Sequence, residues 1–235
     1  MMRGFLVTFL LHVALCLTAK TYLVAVGISD YPGTSMDLRV SANDAKTLSR
    51  IFLKNGHSVA RCIRDSAATE AHVLEVMGKY FTQATEDDVI ILYFSGHGFP
   101  GGLFLYDTHC YYEDIFQVMK KSKARNKVIF ADACYAGKMR VEDAKRDSTV
   151  TENNVMFFLS SRSGEKSSET IYNNSLFTLY LERGLRGGAD ANRDRTITAR
   201  ELYDFVHEKV SENSMGLQHP VMWGKFDGGM PIIKW

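Results

Sequence analysis

Two short apolar runs, residues 89–94 and 128–131, constrain the fold of this chain most strongly. Each run ends in small residues and one reactive side chain: Ser95-Gly96-His97-Gly98 follows the first, and Asp132-Ala133-Cys134-Tyr135-Ala136-Gly137 follows the second. Continuous apolar runs of this length are typical of buried parallel strands. Because the carboxyl ends of parallel strands meet at one edge of a sheet, we expect His97 and Cys134 to lie close together.

The remainder of the chain alternates between strand-like and helix-like segments. Apolar, β-rich runs predict strands at 21–28, 58–63, 89–94, 128–131, 155–159 and 230–233, with a short strand at 103–106. Helical spacing and end signals predict helices between Asn43 and Asn55, at 69–81 and 112–122, from Ser175 as a cap to Leu185, and from Thr198 onward. This alternation predicts an α/β fold, with a mostly parallel sheet covered by helices on both faces.

Size and composition indicate one globular domain. The chain has 235 residues, of which 46% are hydrophobic and 23% charged, and its formal net charge is +1. Such a chain is long enough to bury a full core. A charge this close to neutrality provides no basic field for nucleic acid, so we expect no nucleic-acid partner.

The N-terminal segment is predicted to be a signal peptide. Arg3 gives a positive start, residues 5–17 form a continuous apolar run, and Ala19 is a small residue before a cleavage point. We therefore expect a signal peptide over residues 1–19, a mature domain over 20–235, and a secreted or periplasmic protein. Beyond the signal peptide we expect no contact with a membrane. The alternatives are an uncleaved membrane anchor and a buried first strand.

Three cysteines remain in the predicted mature chain: Cys62, Cys110 and Cys134. An odd number leaves at least one free thiol in an exported protein, and we expect it to be Cys134. A disulfide between Cys62 and Cys110 is one alternative for the others. The favoured interpretation of Cys62 is a small buried side chain within a strand.

The chemistry that these motifs indicate is nucleophilic catalysis. An imidazole beside a thiol favours the thiolate and later protonates a leaving amine, so His97 and Cys134 form a candidate pair. The backbone N–H groups of Gly98 and Cys134 are candidates to stabilise an oxyanion. The alternative is a buried free cysteine and a histidine of the core.

The two motifs around His97 and Cys134 resemble those of the caspase-fold cysteine peptidases, and more narrowly those of metacaspases and bacterial caspase-like proteins. The resemblance covers nearly the whole mature chain. It implies a three-layer αβα fold with a mostly parallel six-stranded sheet. It also implies cleavage of peptide bonds through a thioester acyl-enzyme, with His97 as general acid/base, Cys134 as nucleophile, and Gly98 and Cys134 as the oxyanion hole. No metal takes part in that chemistry.

Substrate preference is predicted mainly from Asp132. Caspases that cut after aspartate carry glutamine two positions before the cysteine, where this chain has Asp132. A carboxylate there repels an acidic side chain and attracts Arg or Lys. In metacaspase-like relatives the residues that match Asp44 and Ser95 line the same pocket, so the resemblance implies a substrate site of Asp44, Ser95 and Asp132. The alternative for Asp44 is an acidic N-cap or early-turn residue of a helix.

A weaker pattern concerns calcium. The residues Asp190, Asn192, Asp194 and Glu201 match positions 1, 3, 5 and 12 of a calcium-binding loop, but Arg195 stands where the sharp turn needs glycine. The alternative is an Asx-turn followed by Thr198 as a helix cap. The acidic cluster that calcium-dependent relatives use is not recognisable after Gly98. We therefore expect no cofactor and keep calcium as an alternative.

The segment 138–154 has few apolar residues and many charges, which predicts an exposed linker loop. It would divide the domain into a large-subunit-like part, 20–137, and a small-subunit-like part, 155–235. Relatives are often cut there during activation, and Lys138, Arg140, Lys145 and Arg146 are candidate sites for self-cleavage. The alternative is an uncut surface loop.

The leading functional prediction is a cysteine endopeptidase that cuts proteins or peptides after Arg or Lys. The alternatives are the same fold with specificity for aspartate, a catalytically silent caspase-like binding module, and an amidohydrolase acting on a non-peptide amide.

Overall fold

The computed structural model describes residues 19–133, 155–162 and 173–235. The strands are β1 Thr21–Gly27, β2 Ser58–Arg64, β3 Val89–Ser95, β4 Gly98–Phe99, β5 Gly102–Phe104, β6 His109–Tyr111, β7 Asn126–Asp132, β8 Val155–Leu159, β9 Thr196–Thr198, β10 Val221–Gly224 and β11 Pro231–Lys234. The α-helices are α1 Ser41–Lys54, α2 Glu70–Phe81, α3 Tyr112–Lys120, α4 Leu176–Arg183 and α5 Ala199–Asn213. Among these described helices, none has the length and apolar character that crossing a membrane requires. The predicted signal peptide up to residue 18 and the predicted linker 138–154 lie outside the described residues.

Six strands form the central sheet in the order β10-β8-β7-β3-β1-β2. The five strands from β8 to β2 are parallel, and β10 runs antiparallel to β8 at one edge. Strands β3 and β7 are neighbours, with Ser95 opposite Asp132 at their carboxyl ends. The predicted six-stranded, mostly parallel sheet is therefore confirmed, and both candidate catalytic motifs begin at the same edge of it.

Helices cover both faces of this sheet and give the predicted three layers. Alternate residues of β1 point to opposite faces: Val24 packs with residues of α2 and α3, whereas Leu23 packs with residues of α1, α4 and α5. All seven residues of β3 are buried. Because both faces of β3 are covered, its sequence is an uninterrupted apolar run instead of an alternating pattern.

The sixth strand of the sheet is β10, a strand that the sequence pattern did not indicate. The predicted strand at 230–233 exists as β11, but it pairs with β9 in a separate two-stranded sheet. Strand β10 is short, lies at an edge and is only half-buried along most of its length, so it carries little periodicity. A tertiary contact holds it instead: the Trp223 ring stacks on Phe157 of β8 with 4.5 Å between centroids.

The prediction that Cys62 is buried is wrong. Cys62 is exposed and Cys110 is buried, and both are free thiols in the described part of the chain, so the alternative disulfide between them is not formed. The physical reason is position, since β2 is the edge strand of the sheet and its outer residues lack a neighbouring strand. The strand itself, Ser58–Arg64, agrees with the predicted one.

Gly27, at the end of β1, allows α1 to lie directly against the sheet. A Cβ atom on Gly27 would lie 2.2 Å from the Ser41 carbonyl oxygen and 2.8 Å from the Ala45 Cβ. We expect Gly27→Ala to lower the free energy of unfolding by about 2 kcal/mol, because backbone atoms cannot move aside as a flexible side chain can. Urea unfolding measures the change.

Gly78→Ala in α2 is a matched control for this substitution. The nearest atom to a Cβ at Gly78 would be Val118 Cγ1 at 4.0 Å, which is an ordinary contact. The free energy of unfolding of this variant is expected to increase by about 0.5–1 kcal/mol, because alanine loses less backbone entropy than glycine when the helix folds. Equal effects of the two substitutions would contradict the close approach of α1 to β1.

Candidate active site

His97 lies two residues beyond the end of β3, in a half-buried position at the carboxyl edge of the sheet. Its Nε2 atom is 2.7 Å from the backbone oxygen of Met36. A carbonyl oxygen only accepts hydrogen bonds, so Nε2 must carry the proton in this contact. The tautomer that results leaves Nδ1 as the basic nitrogen of the ring.

The predicted nucleophile, Cys134, lies one residue beyond the described part of the chain. The residues before it are described: β7 ends at Asp132, and Ala133 is buried. The Gly96 N–H donates a hydrogen bond of 3.2 Å to the Asp132 carbonyl oxygen. The structure therefore brings the end of β7 against the loop that carries His97. Gly98 opens β4 in a half-buried position, and its role in an oxyanion hole stays a prediction.

The three residues of the predicted substrate pocket are brought together and buried. Asp44, Ser95 and Asp132 are 0%, 2% and 4% exposed. The Ser95 hydroxyl donates to Asp44 Oδ2 at 3.0 Å. Ser175 links the two carboxylates, because its backbone N–H donates to Asp44 Oδ1 at 3.1 Å and its hydroxyl donates to Asp132 Oδ2. We call Asp44, Ser95, Asp132 and Ser175 the acidic cluster.

Three further residues, whose roles the sequence pattern did not indicate, support the acidic cluster. Asn174 Nδ2 donates to Asp44 Oδ1 at 2.8 Å, and the Thr178 hydroxyl donates to Asp132 Oδ2 at 3.3 Å. The Tyr93 hydroxyl lies 2.5 Å from the Thr178 hydroxyl. Ser175 was predicted only as a helix cap, a role that it also fills by accepting from the Thr178 N–H. A polar residue inside an apolar strand, such as Tyr93, gives no signal in the sequence of where its hydroxyl points.

The alternative for Asp44 was an acidic N-cap or early-turn residue of a helix, and its position in α1 distinguishes these two roles. It is not a helix N-cap, since Val40 occupies that position of α1, but it does lie in the first turn. Its carboxylate reaches the loop before α4, because α1 packs against α4. Burial and the nearby negative charge of Asp132 raise the pKa of Asp44 to about 8, against the opposing effect of its three hydrogen-bond donors.

This raised pKa of Asp44 predicts a pH-dependent stability. The native state binds the Asp44 proton more tightly than the unfolded chain does. The stabilisation of the folded state by this proton is therefore fully present below pH 3.8, the ordinary pKa of an aspartate, and is lost as the pH rises through about 8. In Asp44→Asn this contribution is absent, while an amide can still accept from Ser175 and donate to Ser95. We expect urea unfolding between pH 5 and 8 to show a decline for the wild-type protein and a flatter profile for the variant. Parallel profiles for the two proteins would contradict a protonated Asp44.

The candidate calcium loop is held by hydrogen bonds within the chain. The Asp190 carboxylate accepts from the N–H groups of Asp194 and Arg195, each at 3.1 Å. Glu201 and Thr198 form a capping box at the start of α5, which confirms the predicted helix cap. Across the described ranges, no group of three or more His, Cys, Asp or Glu side chains could hold a metal ion. Calcium also accepts amide and backbone oxygens as ligands, so its binding at this loop stays an alternative prediction, and the proposed chemistry does not use it.

Comparisons with known proteins agree with this architecture. Residues 20–226 match the family model of the caspase domain of peptidase family C14. No curated protein matches the chain significantly. A solved structure of a Geobacter sulfurreducens protein is similar with a TM-score of 0.68 and 17% identity, covering 88% of this chain and 94% of its own.

Caspase-1 from Spodoptera frugiperda is similar with a TM-score of 0.61 and 16% identity, covering 88% of this chain and 87% of its own. At these identities the two solved structures show the fold alone. The family model covers most of the chain and includes the motifs around His97 and Cys134. The chain therefore belongs to the caspase-domain family of cysteine peptidases.

Proposed function

We propose that this chain is a cysteine endopeptidase of the metacaspase and bacterial caspase-like branch, and that it cuts after Arg or Lys through His97 and Cys134. The observation that carries the specificity is the acidic cluster, in which two carboxylates are buried together where β3 and β7 end. The observation that carries the chemistry is His97 at the same edge, held in one tautomer by the Met36 carbonyl.

The proposed reaction begins with proton transfer from the Cys134 thiol to Nδ1 of His97. The thiolate sulfur then attacks the scissile carbonyl carbon, and the N–H groups of Gly98 and Cys134 stabilise the resulting oxyanion. When the C–N bond breaks, the leaving amine takes the proton from His97, which leaves a thioester on Cys134. His97 next removes a proton from water as the water oxygen attacks the thioester carbon. When the C–S bond breaks, His97 returns that proton to the sulfur, which releases the acid and restores the free thiol.

The acidic cluster supports a preference for a cationic side chain before the cut. Charges attract strongly at a site that excludes water, and a guanidinium can donate to two carboxylate oxygens at once. A bound cation favours the ionised carboxylates and therefore lowers the pKa of Asp44, so we expect kcat/KM for Arg substrates to increase with pH. An aspartate in the same pocket would add a third carboxylate, which argues against the alternative specificity.

The test is hydrolysis of short fluorogenic peptides by residues 20–235, with Arg, Lys or Asp before the scissile bond and with calcium or a chelator present. We expect cleavage after Arg and Lys but not after Asp. Cleavage after Asp alone would overturn the specificity while keeping the peptidase. Failure to cleave any peptide, even after nicking of residues 138–154, would favour the binding module or the non-peptide amide substrate.

We also propose that the enzyme cuts itself within residues 138–154. This segment lies outside the described residues, and the proposal depends on its four basic residues together with the preference argued above. Intact-mass analysis of active protein should show two fragments whose junction follows Lys138, Arg140, Lys145 or Arg146. A single uncut chain in a fully active sample would contradict self-cleavage.

The apolar run at 5–17 supports the proposal that the protein is exported after removal of residues 1–19. Mass spectrometry of the N-terminal peptide from the native source should find Lys20 or a neighbouring residue as the first one. An N-terminal peptide that retains residues 1–19 would favour the membrane anchor.

A further inference from the structure

The loop between β1 and α1, residues 28–40, contacts His97 in two places. One contact is the bond between Nε2 of the imidazole and the Met36 carbonyl. The other is made by Tyr31, whose side chain is only 4% exposed. The Tyr31 ring lies against the imidazole, with 5.1 Å between ring centroids and an interplanar angle of 45°.

The Tyr31 hydroxyl joins the histidine to the small antiparallel sheet. It accepts a hydrogen bond of 3.0 Å from the His97 backbone N–H and donates one of 3.2 Å to the Phe104 carbonyl on β5. Phe104 in turn donates its own N–H to the His97 carbonyl at 3.0 Å. The backbone of His97 is therefore held on both sides, by the phenol and by β5.

Two further features keep the Tyr31 hydroxyl in this place. A Cβ on Gly96 would lie 2.7 Å from that oxygen, so glycine lets the phenol approach the backbone. The loop is tied down by Asp65, whose Oδ1 accepts from the N–H groups of Ser29 at 2.9 Å and Asp30 at 3.2 Å. The Tyr31 N–H itself donates to Asp37 at 3.1 Å.

We propose that Tyr31 is a positioning residue for the peptidase reaction. Its hydroxyl holds the His97 backbone so that the imidazole faces the nucleophile and Gly98 faces the oxyanion. This inference rests on the proposed function. Burial raises the pKa of Tyr31 to about 12, so the phenol keeps the proton that it donates to Phe104. A displaced catalytic group lowers the rate of the chemical step more than it weakens substrate binding.

The test compares Tyr31→Phe with the wild-type protein and with Tyr22→Phe. Phenylalanine retains the ring and removes only the hydroxyl. Tyr22 is similarly buried, at 7% exposed, but lies at the opposite end of β1 from the site. We expect Tyr31→Phe to lower kcat by about 10-fold with little change in KM, whereas Tyr22→Phe keeps both constants.

A second measurement, amide hydrogen exchange, follows the hydrogen bond itself and does not require activity. The His97 N–H should exchange faster in Tyr31→Phe than in wild type or Tyr22→Phe, because its acceptor is gone. Unchanged exchange, or an unchanged kcat in an active enzyme, would overturn the role of Tyr31 and leave the proposed function intact. A wild-type protein that cleaves no peptide would refute the proposed function and, with it, this role.

Discussion

Replacement of Cys134 by alanine is expected to remove peptide hydrolysis, with kcat reduced by about 10⁴- to 10⁶-fold. The substitution deletes the sulfur that forms the thioester, and neither His97 nor the oxyanion donors can replace it. His97→Ala is expected to cause a loss of similar size, because a nucleophile and its base act as one unit. The kcat of each variant is measured with an Arg peptide at saturating concentration.

Cys62→Ala is the matched control for this loss. Cys62 is an exposed free thiol on β2, at the edge of the sheet, and takes no part in the proposed chemistry. Its removal is expected to leave kcat and KM unchanged. Thermal unfolding of Cys134→Ala should stay close to that of the wild type, which separates lost chemistry from lost structure. Substantial hydrolysis by Cys134→Ala would show that another group is the nucleophile.

Neutralising Asp132 is expected to change the substrate preference. We expect Asp132→Asn to lower kcat/KM for an Arg peptide by about 100- to 1,000-fold, because a buried guanidinium then faces one carboxylate fewer. A citrulline peptide keeps nearly the same shape without the charge. The kcat/KM for that peptide should therefore fall much less in Asp132→Asn than the kcat/KM for the Arg peptide. The ratio of kcat/KM for Arg over citrulline therefore measures the electrostatic contribution of Asp132 directly.

The control for this experiment is Asp88→Asn. Asp88 is also buried, but it lies before β3, at the opposite end of that strand from the site, and accepts hydrogen bonds from the N–H groups of Lys20 and Thr85, each at 2.7 Å. This variant is expected to lose stability without any change in the ratio of Arg to citrulline. If Asp132→Asn keeps the wild-type ratio, the acidic cluster is not the pocket that binds the basic side chain.

Much of the fold was predictable because buried parallel strands have continuous apolar sequences that are recognisable locally. The run 89–94 is apolar throughout and 21–28 is largely apolar, and Ser175 and Thr198 each cap a helix as predicted. Strand β10 was missed for the opposite reason. It lies at an edge, is half-buried, and is held by stacking on a residue far away in the chain.

The candidate site likewise has a part that local sequence predicts and a part that it does not. His97, Cys134 and Asp132 each follow an apolar run within a few residues, so local sequence is enough to nominate them. The contacts that surround these residues come from elsewhere in the chain. Ser175 meets Asp44 because α1 packs against α4, and its hydroxyl also reaches Asp132 at the end of β7. Met36 contacts His97 through its backbone oxygen, which every residue type has, so the sequence gives no sign of this contact.

By itself the sequence determined the class of fold, the edge of the sheet where chemistry would occur, and the residue types available there. These depend on hydrophobic periodicity and on short motifs, which are local properties. The tertiary structure alone decided that Ser175 bridges the buried Asp44 and Asp132, which tautomer His97 adopts, and that the Tyr31 hydroxyl bonds to the His97 backbone. Burial, hydrogen bonding and pKa depend on neighbours from distant segments, and only the packed chain brings those neighbours together.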